Sequence, residues 1–474
     1  MKGWKSGFTV VMALFLILAF CVSATWAAEA TKAKAPAAKA AAKAAAPAAK
    51  KAAAPAAVAG PATRDNRPMF GYNVKGLPKV KLIMISDSPF GSVGDVLAVM
   101  FERMVKIESQ GQIEIDHHRF GSLYTGVDLP KIIPMGTVDL GSINKGYLMT
   151  KAPGYGPWVI AYIWKNPEHM LAVTGSPEWY KMEEDQSIVF GNIKPLSHVA
   201  YGNWDYWSNK EIKTIKDFGG SRFWSYGELP NAYIQAWGGT PLIQARAEMY
   251  MAYYRKALTG ISSSSTVYLD YKYYDCGKYW LHMPTYPPGS TGFHYVQLYI
   301  NRKKWESLPE AYKKILIDAS DLYSWASIWE ILCLEKVSEY QLVNKHGMID
   351  VGIATKLPEE YKKICDAAVA AGDEYLKKRK VPQADIDAAK AVLAKYAEPA
   401  ATSAYSWWYQ AAWAEADKRL AEATKRITAG EKEEVVWDAF HPKRFYEMPY
   451  EKMKAEWMNI PRCVRNWPME MRLK

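Results

Sequence analysis

Between Lys79 and Gly141 the chain switches repeatedly between two hydrophobic periods, and few folds accept such a pattern. Lys79 to Ser86 (Lys-Val-Lys-Leu-Ile-Met-Ile-Ser) is strand-like, and Asp87-Ser-Pro-Phe-Gly-Ser92 is a turn rich in helix-capping residues. A helix is predicted from about Gly94 to Ser109, with Val96, Val99, Met100, Met104 and Ile107 near helical spacing. Gln112 to Phe120 alternates as a second strand, Val127 to Met135 is helical, and Val138-Asp139-Leu140-Gly141 follows. Strand, helix, strand, helix, strand is the signature of a parallel α/β sheet. The alternation resumes after Lys194, with a strand from Leu196 to Tyr201 and a helix from about Pro230 to Trp237.

The charge balance suggests a different kind of protein until it is located. The 474 residues hold 60 Lys and Arg against 49 Asp and Glu, a formal net charge of +11. The first 60 residues carry eight lysines and one acid, so most of the excess sits there. The rest is close to balanced and gives no electrostatic reason to bind nucleic acid.

That basic segment reads as export and tether. Lys2 and Lys5 precede an apolar run from Phe8 to Val22 and small residues at Ser23, Ala24, Ala27, Ala28 and Ala30, the order of a secretory signal. Cleavage after Ala27 and cleavage after Ala30 both fit; an uncleaved anchor is the alternative. The run is shorter than the ~20 residues a membrane span needs. Residues 31 to 63 are almost entirely Ala, Lys and Pro, with nothing large to bury, and read as a linker. Localisation in the periplasm follows. Beyond Cys21 stand Cys276, Cys333, Cys365 and Cys463, without CxxC or zinc spacing, so no metal or cofactor is implied. Export permits up to two disulfides among them, whose pairing the sequence leaves open; Cys333 and Cys365 lie in amphipathic helical segments and equally suit buried thiols.

Further along, Leu308-Pro-Glu-Ala-Tyr-Lys-Lys-Ile and Leu357-Pro-Glu-Glu-Tyr-Lys-Lys-Ile repeat one helix-start chemistry, with Pro in the first turn and Glu at the positive end of the dipole. The first helix can run from Pro309 to His346, stopped by Gly347, and a helix that long without heptads braces lobes. Beyond about residue 400 the aromatic content is too high for disorder. Residues 401–428 read as an amphipathic helix and the remainder as irregular structure over the surface, serving as packing, with a contact to a second copy or to a partner protein as alternatives.

No nucleophile elbow, phosphate-cradling glycine loop or catalytic dyad occurs. His117 and His118 point to opposite faces of a strand and cannot jointly hold one metal ion. Four segments instead carry a resemblance. They are Phe120-Gly-Ser-Leu-Tyr-Thr-Gly-Val-Asp128 with Met135-Gly-Thr-Val-Asp-Leu-Gly141; Ile215-Lys-Asp-Phe-Gly-Gly-Ser-Arg222; Gly238-Gly-Thr-Pro241 with Glu248-Met-Tyr-Met-Ala252 and Gly260; and Tyr299-Ile-Asn-Arg-Lys-Lys-Trp305 with Leu308-Pro309. In this order and spacing the chain resembles the DctP-type substrate-binding proteins of tripartite ATP-independent periplasmic (TRAP) transporters.

The resemblance implies an α/β two-lobe periplasmic-binding-protein fold, type II-like, with a bracing helix and a helical or irregular C-terminal extension. The expected segments are a signal at 1–30, a linker at 31–69, lobe 1 at 70–200, lobe 2 at 201–295, a return strand and bracing helix at 296–350, and the extension at 351–474. It implies a non-catalytic receptor that closes on a small organic acid and delivers it to a membrane permease; a homodimer is left open. Arg222 matches the arginine ending the family's D-(L/M)-K-G-(L/M)-K-(I/L)-R segment, and a guanidinium can grip both carboxylate oxygens. Trp204, Asn144 and Ser263 fall where relatives place charged or amide contacts. With Phe90, Tyr147, Trp207 and Trp224 they suggest an aromatic-walled site for a carboxylate with an apolar or ring body, although core packing claims most aromatics. The competing readings are a ligand sensor without transport, an exported cleft enzyme using Asp205 or Asp139, and an aromatic-rich envelope or glycan-binding module.

Overall fold

The computed structural model describes residues 69–165, 167–283, 293–397, 404–459 and 469–474. The signal segment, the linker up to residue 68, Cys463 and Trp467 lie outside them. Eleven strands form among the described residues: β1 (Val80–Ser86), β2 (Ile113–Arg119), β3 (Leu140–Ile143), β4 (Ile193–Asn203), β5 (Asp205–Ser208), β6 (Arg222–Ser225), β7 (Thr240–Ile243), β8 (Gly260–Ser263), β9 (Tyr279–Leu281), β10 (Phe293–Asn301) and β11 (Ile349–Asp350). They build two sheets, ordered β2-β1-β3-β10-β4 and β11-β9-β5-β8-β6-β7.

The opening alternation produces the first sheet. β1 runs parallel to β2 and β3, and the helix Val93–Glu108 between them buries Val93, Val96, Leu97, Met100, Phe101, Met104 and Val105 on one stripe. Each such side chain contributes about 1.5–3 kcal/mol when fully buried. Ser92 caps that helix by accepting from Asp95 N–H. The sheet is not wholly parallel, however. β10 returns from the second lobe in the opposite direction and pairs antiparallel with both β3 and β4. In the second sheet β6 is parallel to β7 and β8, whereas β5 is antiparallel to β8 and β9. His117 and His118 face opposite ways: the His117 side chain is buried and hydrogen-bonds Ser86 Oγ at 2.8 Å, whereas His118 lies 3.3 Å from Asp116 at the surface.

The helix Glu310–Asn344 runs 35 residues, stopped by Gly347 at φ 66°. At 1.5 Å per residue it is about 50 Å long. It is buried nearly all round, packing on β4, on the helix Val93–Glu108 of the first lobe and on the helix Ser265–Asp270 of the second. Four of its acids are buried: Asp318, Asp321, Glu330 and Glu335. Cys276, Cys333 and Cys365 are free thiols, with Cys333 buried.

The C-terminal extension is helical where irregular structure was expected. After the helix Ala404–Thr428 come Glu433–Phe440, Arg444–Glu447, Tyr450–Asn459 and Met469–Leu473. It packs on its own chain through ionic side chains as well as aromatic ones. Arg419 reaches Glu330 at 2.9 Å and Arg444 reaches the same carboxylate at 3.1 Å. Arg472 holds Asp321 with two bonds of 2.8 and 2.9 Å and also donates to Leu196 O. Tyr446 bonds Asp95, which also pairs with Arg119, and Trp457 is 1% exposed.

Burial by itself would raise the Glu330 carboxyl, but Arg419 and Arg444 outweigh it and hold its pKa at about 2. A depressed carboxylate stabilises the fold fully above its unfolded pKa near 4.5 and loses that contribution as pH falls toward 2. Arg419→Ala should therefore lower the unfolding free energy at pH 7 by about 3 kcal/mol, measured by urea denaturation. Lys181→Ala, which removes an exposed pair with Asp185, should cost about 0.5 kcal/mol or less. Equal losses in the two variants would contradict the buried-pair assignment.

Candidate functional site

The two sheets meet over a small enclosed cavity. From the first lobe come Asp87, just past the end of β1, Gly126, Ser142 in β3, Asn144 and Tyr147 beyond it, and Val296 in β10. From the second come Trp224 in β6, Tyr226 just past it, and Arg246, the first residue of the helix Arg246–Tyr254. The crevice beyond the carboxyl ends of parallel strands is where open α/β sheets bind ligands, because side chains and helix starts converge there. The cavity encloses about 20 Å³, enough for about one water molecule.

Arg246 and Asp87 are the charged residues lining it. Arg246 Nε lies 3.7 Å from Asp87 Oδ2, and the guanidinium sits 5.7 Å from the Trp224 ring and 5.7 Å from the Tyr271 ring. Gly126 N–H donates to Asp87. Burial raises the Asp87 carboxyl, Arg246 and the Gly126 N–H work against that, and its pKa stands at about 6. Asp87 Oδ1 is enclosed and has no hydrogen-bond partner among the described residues. Burial also lifts the Tyr147 phenol above its usual range, keeping it neutral.

The floor is set by the turn at 144–146. Asn144 Oδ1 accepts from Gly146 N–H at 2.9 Å, and Lys145 turns inward to pair with the buried Glu183 at 2.6 Å. Glu183 also accepts from Tyr299 Oη at 3.2 Å. Across the cleft, a Cβ on Gly146 would overlap the Tyr226 carbonyl, and one on Gly227 would overlap the Gly146 carbonyl. Gly227 also sits at φ 152°, which side chains rarely adopt. The lobes thus touch backbone to backbone because both positions lack side chains.

The crossing between the lobes is wired separately. β4 ends at Asn203 and β5 starts at Asp205, with Trp204 between. Asp205 accepts from Asn203 Nδ2 at 3.0 Å, Trp280 Nε1 at 2.8 Å and Met283 N–H at 2.7 Å, and lies 3.2 Å from His282 Nδ1. Glu335 of the long helix accepts from Asn203 N–H at 3.2 Å and Ser265 Oγ at 3.3 Å. Asp139 accepts from Ile83 N–H at 2.7 Å. Both acids offered for a cleft enzyme are therefore engaged with backbone donors outside the cavity lining.

Of the residues expected at the site, Trp224, Asn144 and Tyr147 line the cavity. Trp204 stands behind it, its ring 6.5 Å from Trp224 and 5.5 Å from Tyr226. The others lie elsewhere. Arg222 begins β6 exposed, donating through Nη2 to Lys256 O at 2.9 Å. Ser263 is buried beside Asp205 in the strand pairing, Phe90 is 65% exposed under the Arg119 guanidinium, and Trp207 is stacked between Tyr268 and Trp280 in the core. In the family segment the arginine follows the aspartate by seven positions, and seven positions after Asp217 is Trp224, two residues beyond Arg222. Asp87, Ser142, Tyr226 and Arg246 had no motif of their own.

A two-lobe fold with its cavity at facing strand ends defines a binding-protein class. The chain belongs to the bacterial extracellular solute-binding proteins, family 7, whose model matches residues 92–354. The fold is shared with a marine-metagenome TRAP solute-binding protein specific for pyroglutamate (19% identity, 67% of this chain and 99% of that one, TM-score 0.60). It is shared with a Shewanella oneidensis TRAP periplasmic protein with bound succinate (14%, 66% and 99%, TM-score 0.59). A Haemophilus influenzae counterpart with bound L-gulonate gives 21%, 68% and 99%, and a TM-score of 0.58. The uncharacterized protein YiiZ of Salmonella typhimurium is 21% identical over 163 residues, 34% of this chain and half of that relative's length.

Two tests follow. Gly146→Ala should prop the lobes apart, raising the radius of gyration of the unliganded protein in solution scattering; an unchanged profile would contradict the backbone contact. At the crossing, burial opposes the His282 charge but Asp205 outweighs it, raising the pKa to about 9. A raised histidine stabilises fully below its unfolded pKa near 6.5 and loses that contribution as pH rises through 9. Wild-type stability should therefore fall between pH 6.5 and 9 more steeply than that of His282→Gln, and parallel profiles would count against the pairing.

Proposed function

We propose that this chain is an exported receptor that captures a small carboxylate between its lobes and presents it, closed, to a TRAP-type membrane permease. The observation that carries this reading is Arg246: a largely buried guanidinium at an interlobe cavity, backed by Trp224 and Tyr226. Its planar donors suit both oxygens of a carboxylate, and the rings suit an apolar body. The pyroglutamate, succinate and gulonate of the similar structures support the ligand class. Among the described residues no helix is long and apolar enough to cross a membrane.

Entry requires motion. A cavity of about 20 Å³ has no room for an organic acid, so the ligand enters when the lobes part and is enclosed as they close around it, short of the contact seen without it. Closure then makes occupancy visible to the permease, since a ligand shifts a conformational equilibrium only by binding one state better.

A thermal-shift screen of the purified protein against mono- and dicarboxylates, keto acids and sugar acids tests the reading. A ligand at about 100 times its dissociation constant adds about 2.7 kcal/mol, a visible shift. Arg246→Ala should abolish binding of the best compound with the fold retained by circular dichroism, whereas Arg222→Ala should leave affinity within about threefold. The opposite pattern would move the site to Arg222.

A further inference from the structure

The cavity carries its own counter-charge. Asp87 stands 3.7 Å from Arg246, so the two formal charges lining the site cancel. Asp128, bound to Thr125 N–H and Oγ1, adds a further negative charge close enough to act on Asp87. A plain carboxylate seated on Arg246 would bring a second anion beside Asp87 in a largely buried space, where like charges repel more strongly than in water. The enclosed Asp87 Oδ1 asks for a donor instead, and Trp224, Tyr226 and Tyr147 supply the ring faces that attract a cation.

We propose that the ligand is a zwitterion of the amino-acid class, its carboxylate held by Arg246 and its ammonium held by Asp87 Oδ1 against the aromatic wall. The inference rests on the receptor reading above and narrows it. A net-neutral ligand matches a net-neutral pair, each charge meeting its opposite, and neither side chain is left buried against a like charge. Asp87 is then the residue that sets specificity: Arg246 is common to any acid, and Asp87 accepts those that bring a positive charge with them. It reaches the site because β1 ends at Ser86 and the next residue turns across the sheet's edge toward Gly126.

Matched pairs differing only in the ammonium group test this with the full chain: alanine and propionate, phenylalanine and 3-phenylpropionate, glutamate and glutarate, by isothermal titration. At least one amino acid should bind about 100-fold or more tightly than its deamino partner, because a site built to receive a charged donor rejects the analogue lacking it. Asp87→Asn should shrink that ratio below about tenfold while circular dichroism shows the fold intact. The wild-type ratios decide the matter even if the variant does not fold. A deamino acid binding as tightly as its partner, or Asp87→Asn weakening both members equally, overturns the zwitterion. If acids bind and depend on Arg246 but the ammonium adds nothing, the receptor reading stands and this one falls. If neither series binds while other acids do, only the zwitterion falls; if no acid binds at all, both fall.

Discussion

Four carboxylates buried along one helix organise the molecule. Asp318, Asp321, Glu330 and Glu335 lie on the long helix Glu310–Asn344 with at most 3% of their surface exposed. A buried carboxylate without a partner costs several kcal/mol, so each recruits a different part of the chain. Asp318 takes Phe70 N–H and the Tyr72 hydroxyl, fixing the entry to β1. Asp321 takes Arg472 and so fastens the last helix. Glu330 takes Arg419 and Arg444 from the extension. Glu335 takes Asn203 N–H at the crossing between lobes. The extension thus supplies the cations for two of the four buried acids, Asp321 and Glu330, and the bracing helix holds the crossing about which the lobes would move.

The cleft follows from that frame. With the crossing and the brace fixed, closure brings β1, β3 and β6 end to end, and two glycines let the backbones meet. What remains between them is a charged pair among aromatic rings. Strength here comes from partial burial: the 3.7 Å separation of Arg246 and Asp87 would count for little at the surface. Inside the cavity it decides which ligand charges are tolerated.

Local chemistry was legible in the chain. The period switches from Lys79 to Gly141, the Pro-Glu helix starts at 309 and 358, and the stop at Gly347 all depend on neighbours within a few residues, and the structure places elements there. The return strand near residue 296 followed only from the resemblance, while the antiparallel direction of β10 and the helices after residue 428 depend on distant partners and were not legible. The site divides the same way. Trp224, Asn144 and Tyr147 sit next to strand ends that pattern reveals. Arg246 and Asp87 have meaning only together, across a cleft formed when lobes from separate stretches close. Arg222 ends the segment that carries the resemblance; as the first residue of β6 it is exposed, while Trp224, two residues on, lines the cavity.

A crystal structure of the chain with its tightest-binding acid shows whether a carboxylate is held at Arg246 between the lobes. The carboxylate oxygens should lie about 2.7–2.9 Å from the Arg246 guanidinium, with Trp224 and Tyr226 against the ligand body. A ligand seated on Arg222, or anywhere outside the space between the two sheets, would contradict it.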